Sequence, residues 1–67
     1  MISLSINGEA RTFPRELTCA ELVTELELAG KRVAIERNGD IVPRSRFGDS
    51  LLHDGDRLEI VVAVGGG

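Results

Sequence analysis

The sequence predicts an α+β fold in which a mixed sheet of four to five strands grips one helix. Three observations carry this. Apolar residues alternate with polar ones at both ends of the chain: Ile2, Leu4 and Ile6 at the start, Leu58, Ile60, Val62 and Val64 at the finish. That period belongs to strands with a buried face. Between them, Cys19, Leu22, Val23 and Leu26 recur at helical spacing. Two Asn-Gly pairs, Asn7-Gly8 and Asn38-Gly39, stand between strand-like runs. Both residue types tolerate the positive φ of a type I′ hairpin turn.

In order, Ile2 to Ile6 is the first strand, and Glu9 to Phe13 returns beside it with Phe13 toward the core. Pro14 ends the hairpin. Thr18-Cys19-Ala20-Glu21 is a capping box, with Leu17 and Leu22 at the positions of a hydrophobic staple. The helix is predicted over residues 19 to 28, with Glu21, Glu25 and Glu27 facing water and Gly30 as its C-terminal cap. Residues 32 to 37 form a third strand with Val33 and Ile35 inward. Residues 40 to 42 form a short edge strand, because Pro43 cannot donate to a ladder. An irregular stretch follows, anchored by Phe47, and Leu51 and Leu52 return to the core. Asp54-Gly55-Asp56 turns into the last strand, residues 57 to 64. That strand is apolar on both faces, which suits a central place beside and parallel to the first. This is the β-grasp arrangement, with residues 1 to 64 as its body and 65 to 67 as a flexible glycine tail. Leu4, Ile6, Leu22, Leu26, Ile35, Leu58 and Ile60 are the predicted core.

A chain of 67 residues allows one domain with a small core. The net charge of −3 and the lack of Trp and Tyr argue against a nucleic-acid partner. The longest apolar run, Ile60 to Val64, is far too short to span a membrane. Met1 leads directly into the first strand with no signal segment, so the expected location is cytoplasmic. The single cysteine excludes an internal disulfide or a cysteine metal cage, and no metal site is expected.

The candidate chemistry lies at the end, Gly65-Gly66-Gly67. Glycines pack no core, but they make a narrow thread open to any backbone conformation. Three residues reach roughly 10 Å when extended. Such a thread can enter a channel that rejects side chains and deliver the Gly67 carboxylate. Beside it, Val61 and Ala63 lie on the face opposite Leu58 and Ile60. If that face is uncovered, it is an apolar docking patch. Arg44, after Pro43, is a separate candidate for docking a partner.

Three stretches stand out: Val33-Ala34-Ile35-Glu36-Arg37-Asn38-Gly39, then Ile41-Val42-Pro43-Arg44, then Asp54-Gly55-Asp56-Arg57-Leu58-Glu59-Ile60 with the terminal Gly66-Gly67. Through them the whole chain resembles the ThiS family, the sulfur carriers of thiamine biosynthesis. The last stretch is shared with molybdopterin-synthase small subunits and other ubiquitin-like carriers; the Ile-Val-Pro-Arg segment is the most diagnostic of ThiS. Gly65 departs from the alanine common there. The resemblance implies a protein co-substrate rather than an enzyme. A ThiF-like adenylyltransferase would activate the Gly67 carboxylate with ATP. A cysteine persulfide would supply sulfur to make a thiocarboxylate, and a ThiG-like thiazole synthase would receive it. No cofactor would be bound by the chain itself, which has no glycine-rich phosphate loop with a lysine.

Other residues read as structural. Cys19 stands at the first helical position, where a thiol's pKa can fall, but it also lies on the apolar stripe and behaves there as a small hydrophobe. His53 has no second histidine or cysteine near it and reads as solvated. Asp54 and Asp56 flank Gly55 and shape its turn. Three other functions compete with a thiazole sulfur carrier: a carrier for molybdopterin or tRNA thiolation, a ubiquitin-like modifier of lysines, and a non-covalent binding module.

Overall fold

The computed structural model describes residues 1–63. Strand β1 (Ile2–Ile6) turns into β2 (Glu9–Phe13), and helix α1 (Cys19–Glu25) follows. The chain then forms β3 (Val33–Arg37), β4 (Asp40–Val42), a 3-10 turn over Arg44–Arg46, and β5 (Arg57–Val62). The sheet order is β2-β1-β5-β3-β4. β5 is central, parallel to β1 and antiparallel to β3. This is the predicted mixed sheet with one helix. β4 is an edge strand, as Pro43 requires.

One face of the sheet forms the core with the helix. Ile2, Leu4 and Ile6 of β1, Ile35 of β3, and Leu58 and Ile60 of β5 are buried with Leu17, Cys19, Leu22 and Leu52. Two predicted core residues differ. Leu26 is only partly buried, because the helix has ended by that residue and its side chain lies at the core's edge. Leu51 is 39% exposed; it forms a bridge with Thr18, so only its neighbour Leu52 points inward.

Both Asn-Gly turns take positive φ at each residue, 52° and 85° at Asn7 and Gly8, 51° and 92° at Asn38 and Gly39. That is the type I′ geometry that matches strand twist. Each asparagine also reaches across to the chain entering or running along β5. The Asn7 side chain accepts from the Ile60 amide at 2.8 Å and donates to the Ile60 carbonyl at 3.1 Å. The Asn38 side chain accepts from the Arg57 amide at 2.9 Å and donates to Asp56 Oδ1 at 3.1 Å.

The N-terminus of α1 has every early amide paired. Thr18 N–H donates to Glu21 Oε1 at 2.8 Å and Glu21 N–H to Thr18 Oγ1 at 3.1 Å, which is the predicted capping box. The Cys19 and Ala20 amides donate to the Ser50 and Phe47 carbonyls, each at 3.0 Å. The loop over residues 47 to 50 is therefore the helix's second cap, and Phe47 packs against the core as expected.

The helix stops earlier than its predicted end at residue 28. Glu27 N–H donates to the Thr24 carbonyl at 3.0 Å and Leu28 N–H to the Val23 carbonyl at 2.9 Å. These two bonds make a Schellman cap, whose left-handed position is Glu27 at φ 61°. Val23 and Leu28, the residues whose contact accompanies such a cap, both pack against the core. Gly30, the expected cap, instead takes φ 86° in the following turn, closed by Lys31 N–H to the Leu28 carbonyl at 3.0 Å. The predicted third strand begins one residue later, at Val33. The last strand ends at Val62; its predicted end at Val64 and the tail Gly65, Gly66 and Gly67 lie outside the described residues.

Candidate functional site

The site is built where β5 runs out toward the chain end. Its ladder with β1 covers only Ser5 with Arg57 and Ile6 with Leu58. β1 then enters its turn, and the Asn7 side chain takes over the pairing by bonding both backbone groups of Ile60. Among the described residues, β5 beyond Ile60 is held by β3 alone. Ala34 pairs with Val61 and Val33 with Val62, and Ala63 N–H donates to the Arg32 carbonyl at 2.9 Å. Asn7 on one side and β3 on the other thus fix the direction of the chain as it approaches the glycines.

Alternation turns Leu58 and Ile60 inward and Glu59, Val61 and Ala63 outward. Val61 is 63% exposed, so the outward face is open to solvent where the sequence asked whether it would be. Arg44 reaches the same place by another route. Pro43 ends β4, and the 3-10 turn carries Arg44 over the end of β3. Arg32, Val33, Ala34, Arg44, Val61 and Ala63 line one shallow depression of about 370 Å³. Val61, Ala63 and Arg44, singled out separately in the sequence, are brought together here. Arg32 and Ala34 join them and were not singled out. The register of β3 against β5 places them, and pairing across strands is not written in local pattern.

A second, smaller hollow of about 260 Å³ lies on the opposite face of the same end. Leu26, Leu28, Ile60 and Val62 form much of it, with Glu9 and Arg11 also lining it. It exists because α1 stops short and leaves the end of the sheet partly uncovered.

The remaining polar residues hold the fold. Asp56 accepts from His53 N–H at 2.9 Å, from Arg37 Nε at 2.9 Å and from Asn38 Nδ2 at 3.1 Å. Its side chain is only 12% exposed. Burial pulls its carboxyl upward, but the His53 amide, the Asn38 amide and Arg37 outweigh that and hold it below the ordinary carboxylate range. Asp54 accepts from the Ser3 amide and ties the turn to β1. His53 faces Glu16 at 2.9 Å on the surface. Cys19 is fully buried, and burial pushes its thiol up rather than down, against its use as a nucleophile. Among the described residues no group of His, Cys, Asp or Glu is placed to hold a metal ion.

The ThiS family model matches residues 4–67. The chain belongs to the ThiS family. A thiazole synthase of Paramagnetospirillum magneticum is 46% identical over 66 residues, which cover 98% of this chain but 20% of that protein. The chain therefore spans about a fifth of that relative's length. The sulfur carrier protein ThiS of Bacillus subtilis is 35% identical over 65 residues, covering 96% of this chain and 98% of that one. The crystal structure of a ThiS thiamine biosynthesis protein from Geobacter metallireducens superposes with a TM-score of 0.84 at 32% identity. That match covers 98% of this chain and all of the other, and it carries the β-grasp assignment. The motifs that mark this ThiS chain are fold elements as much as functional ones. Asn38-Gly39 and Asp54-Gly55-Asp56 are joined through the Asn38 and Asp56 side chains. Arg37, within the same stretch as Asn38-Gly39, also pairs with Asp56.

Proposed function

We propose that this chain is a sulfur carrier for thiazole formation in thiamine biosynthesis, a protein co-substrate rather than an enzyme. A ThiF-like partner adenylates the Gly67 carboxylate with ATP and releases pyrophosphate. Sulfur from a cysteine persulfide then attacks the acyl carbon and displaces AMP to give an acyl disulfide. A second thiol on the donor side attacks the S–S bond, releasing the thiocarboxylate and leaving a disulfide behind. A thiazole synthase takes the sulfur. The observation that carries this reading is the reach of the family match, which runs through residue 67 and so includes the glycine end. Gly65 and Gly66 serve as the thread and Gly67 as the reacting group. Glycine suits that role because it leaves both faces of its carbonyl open.

The division of labour supports the same reading. The one cysteine is buried under the helix cap, so sulfur chemistry on this chain falls to the terminus. The depression around Val61, Ala63 and Arg44 lies at the base of the tail and offers the partner a docking surface. The match between this chain and part of a thiazole synthase supports that enzyme as the sulfur acceptor. ATP dependence fits a cytoplasmic setting, and among the described residues no helix is long and apolar enough to cross a membrane.

The test is intact-protein mass spectrometry after incubation with ATP, the purified adenylating partner, a persulfide donor and a thiol reductant. The expected product has one oxygen of the Gly67 carboxylate replaced by sulfur. Higher-mass conjugates would favour a ubiquitin-like modifier, and an unchanged mass a non-covalent binding module.

A further inference from the structure

The outward face of β3 and β5 carries its charges in a definite order. Glu36 and Glu59 are register partners, so two carboxylates stand side by side on that face. Among the described residues neither forms an ion pair, and neither does Arg57, the next outward residue along β5. Beyond the glutamates come the partners Ala34 and Val61. Arg32 and Arg44 stand beyond those, at the rim of the depression, and form no ion pair among the described residues either. From Arg57 to the base of the tail the face reads basic, acidic, apolar, basic, with the exposed Ile41 beside Glu36.

Like charges directly opposite each other across a ladder are destabilising. The free protein thus keeps a repulsive pair beside an exposed apolar patch, and among the described residues Arg32 and Arg44 have no acidic partner. We propose that this face is a polarised docking surface, with Glu36 and Glu59 receiving a cationic side chain of the adenylating partner. The same partner places an apolar group against Val61 and a carboxylate against Arg32 and Arg44. The proposal rests on the docking reading above and adds the charge order to it. That order has a direction. A partner turned end for end would set its cation against Arg32 and its carboxylate against the glutamates. Complementary charge acts chiefly on orientation and on-rate, and here the permitted orientation is the one in which the tail base meets the partner in a single sense.

The experiment compares Glu59→Lys with the parent, using the full chain and the purified adenylating partner. Lysine opposite Glu36 replaces repulsion by attraction, so Tm should rise by about 1–8 °C. Association at low salt should weaken about tenfold, and added salt should narrow the gap. Glu59→Gln should move both readings the same way by less. A Glu59→Lys protein that binds like the parent, or one that melts lower, overturns the proposal. Val61→Asp separates the layers of the argument. It should melt like the parent and bind poorly. If Val61→Asp weakens binding and Glu59→Lys does not, the docking face stands and its charge order falls. If neither weakens binding, the docking reading itself falls.

Discussion

Asp56 shows how much one side chain can hold in a small domain. It joins the turn before β5 to the end of β3 through His53 N–H, Arg37 and Asn38. Asp56→Ala removes the shared acceptor of those donors at a partly buried site, and should cost about 1.5–3 kcal/mol, since hydrogen bonds to charged groups lie in that range. Because its folded pKa is depressed, its contribution is fully present above the unfolded carboxylate value, about 3.9. It is lost as pH falls through the folded value. Thermal melts from neutral pH down to about pH 3 should show the parent losing more stability than the variant in that acidic window. Parallel curves would mean that other carboxylates govern the acid limb. The sequence shows Asp56 as a turn former, which it is, but not its second role. The same holds for Asn7 and Asn38. Their turn chemistry is legible from the following glycine, whereas their bonds to Ile60 and Arg57 depend on which strand lies across the turn. Residue-scale roles that close within a few positions can be read; those that span the sheet need its topology.

The helix is the element where reading and structure part most clearly. Its start is fully legible, because the Thr18–Glu21 capping box is a local pattern with a local mechanism. Its end is not, because the apolar spacing runs through Leu26 and a glycine waits at position 30. The chain instead places Glu27 in the left-handed region and closes a Schellman cap there. The left-handed conformation costs a non-glycine residue roughly 1–2 kcal/mol. The cap survives because it satisfies two carbonyls and packs Leu28 inward. Early termination turns the chain back toward β3 after a short crossover and leaves the hollow between α1 and the sheet end. Glu27→Gly should therefore stabilise the protein by about 0.5–1 kcal/mol, the relief of backbone strain less the entropy glycine loses on folding. In a domain of this size that is a rise in Tm of about 2–8 °C. Glu27→Val should move it the other way, since a β-branched residue at positive φ is a steric outlier. A glycine variant that melts below the parent would mean that the Glu27 side chain, not the backbone, is what matters there.

At the scale of the whole molecule, folding and the proposed activity occupy separate parts of the chain. Among the described residues every buried member of the core lies between Ile2 and Ile60, whereas the proposed chemistry is at Gly67. The fold class was legible because alternation at the two ends and one amphipathic stretch leave few ways to arrange the chain. The docking face was half legible: the exposure of Val61 follows from strand alternation, but the company of Arg32 and Ala34 follows only from the register of β3. This separation yields a prediction. Adding one residue after Gly67, or deleting Gly66 and Gly67 together, should abolish ATP-dependent thiocarboxylate formation and leave the melting curve almost unchanged. One added residue displaces the carboxylate by about 3.3–3.6 Å along an extended thread, well beyond the roughly 0.5 Å that a preorganised site tolerates. Gly66→Val should also be poor, because branching at Cβ widens and stiffens the thread. Gly65→Ala should be mild, because a single methyl widens the thread far less than a branched side chain. Activation assays with the purified partner, intact mass and melts on the same samples decide it. Activation of the extended protein at the parental rate would show that the terminal carboxylate is not the reacting group. Loss of stability on deleting the glycines would show that the tail belongs to the fold. With neither, an effect confined to activation places the function in the tail and leaves the sheet and helix the task of holding it at the correct end.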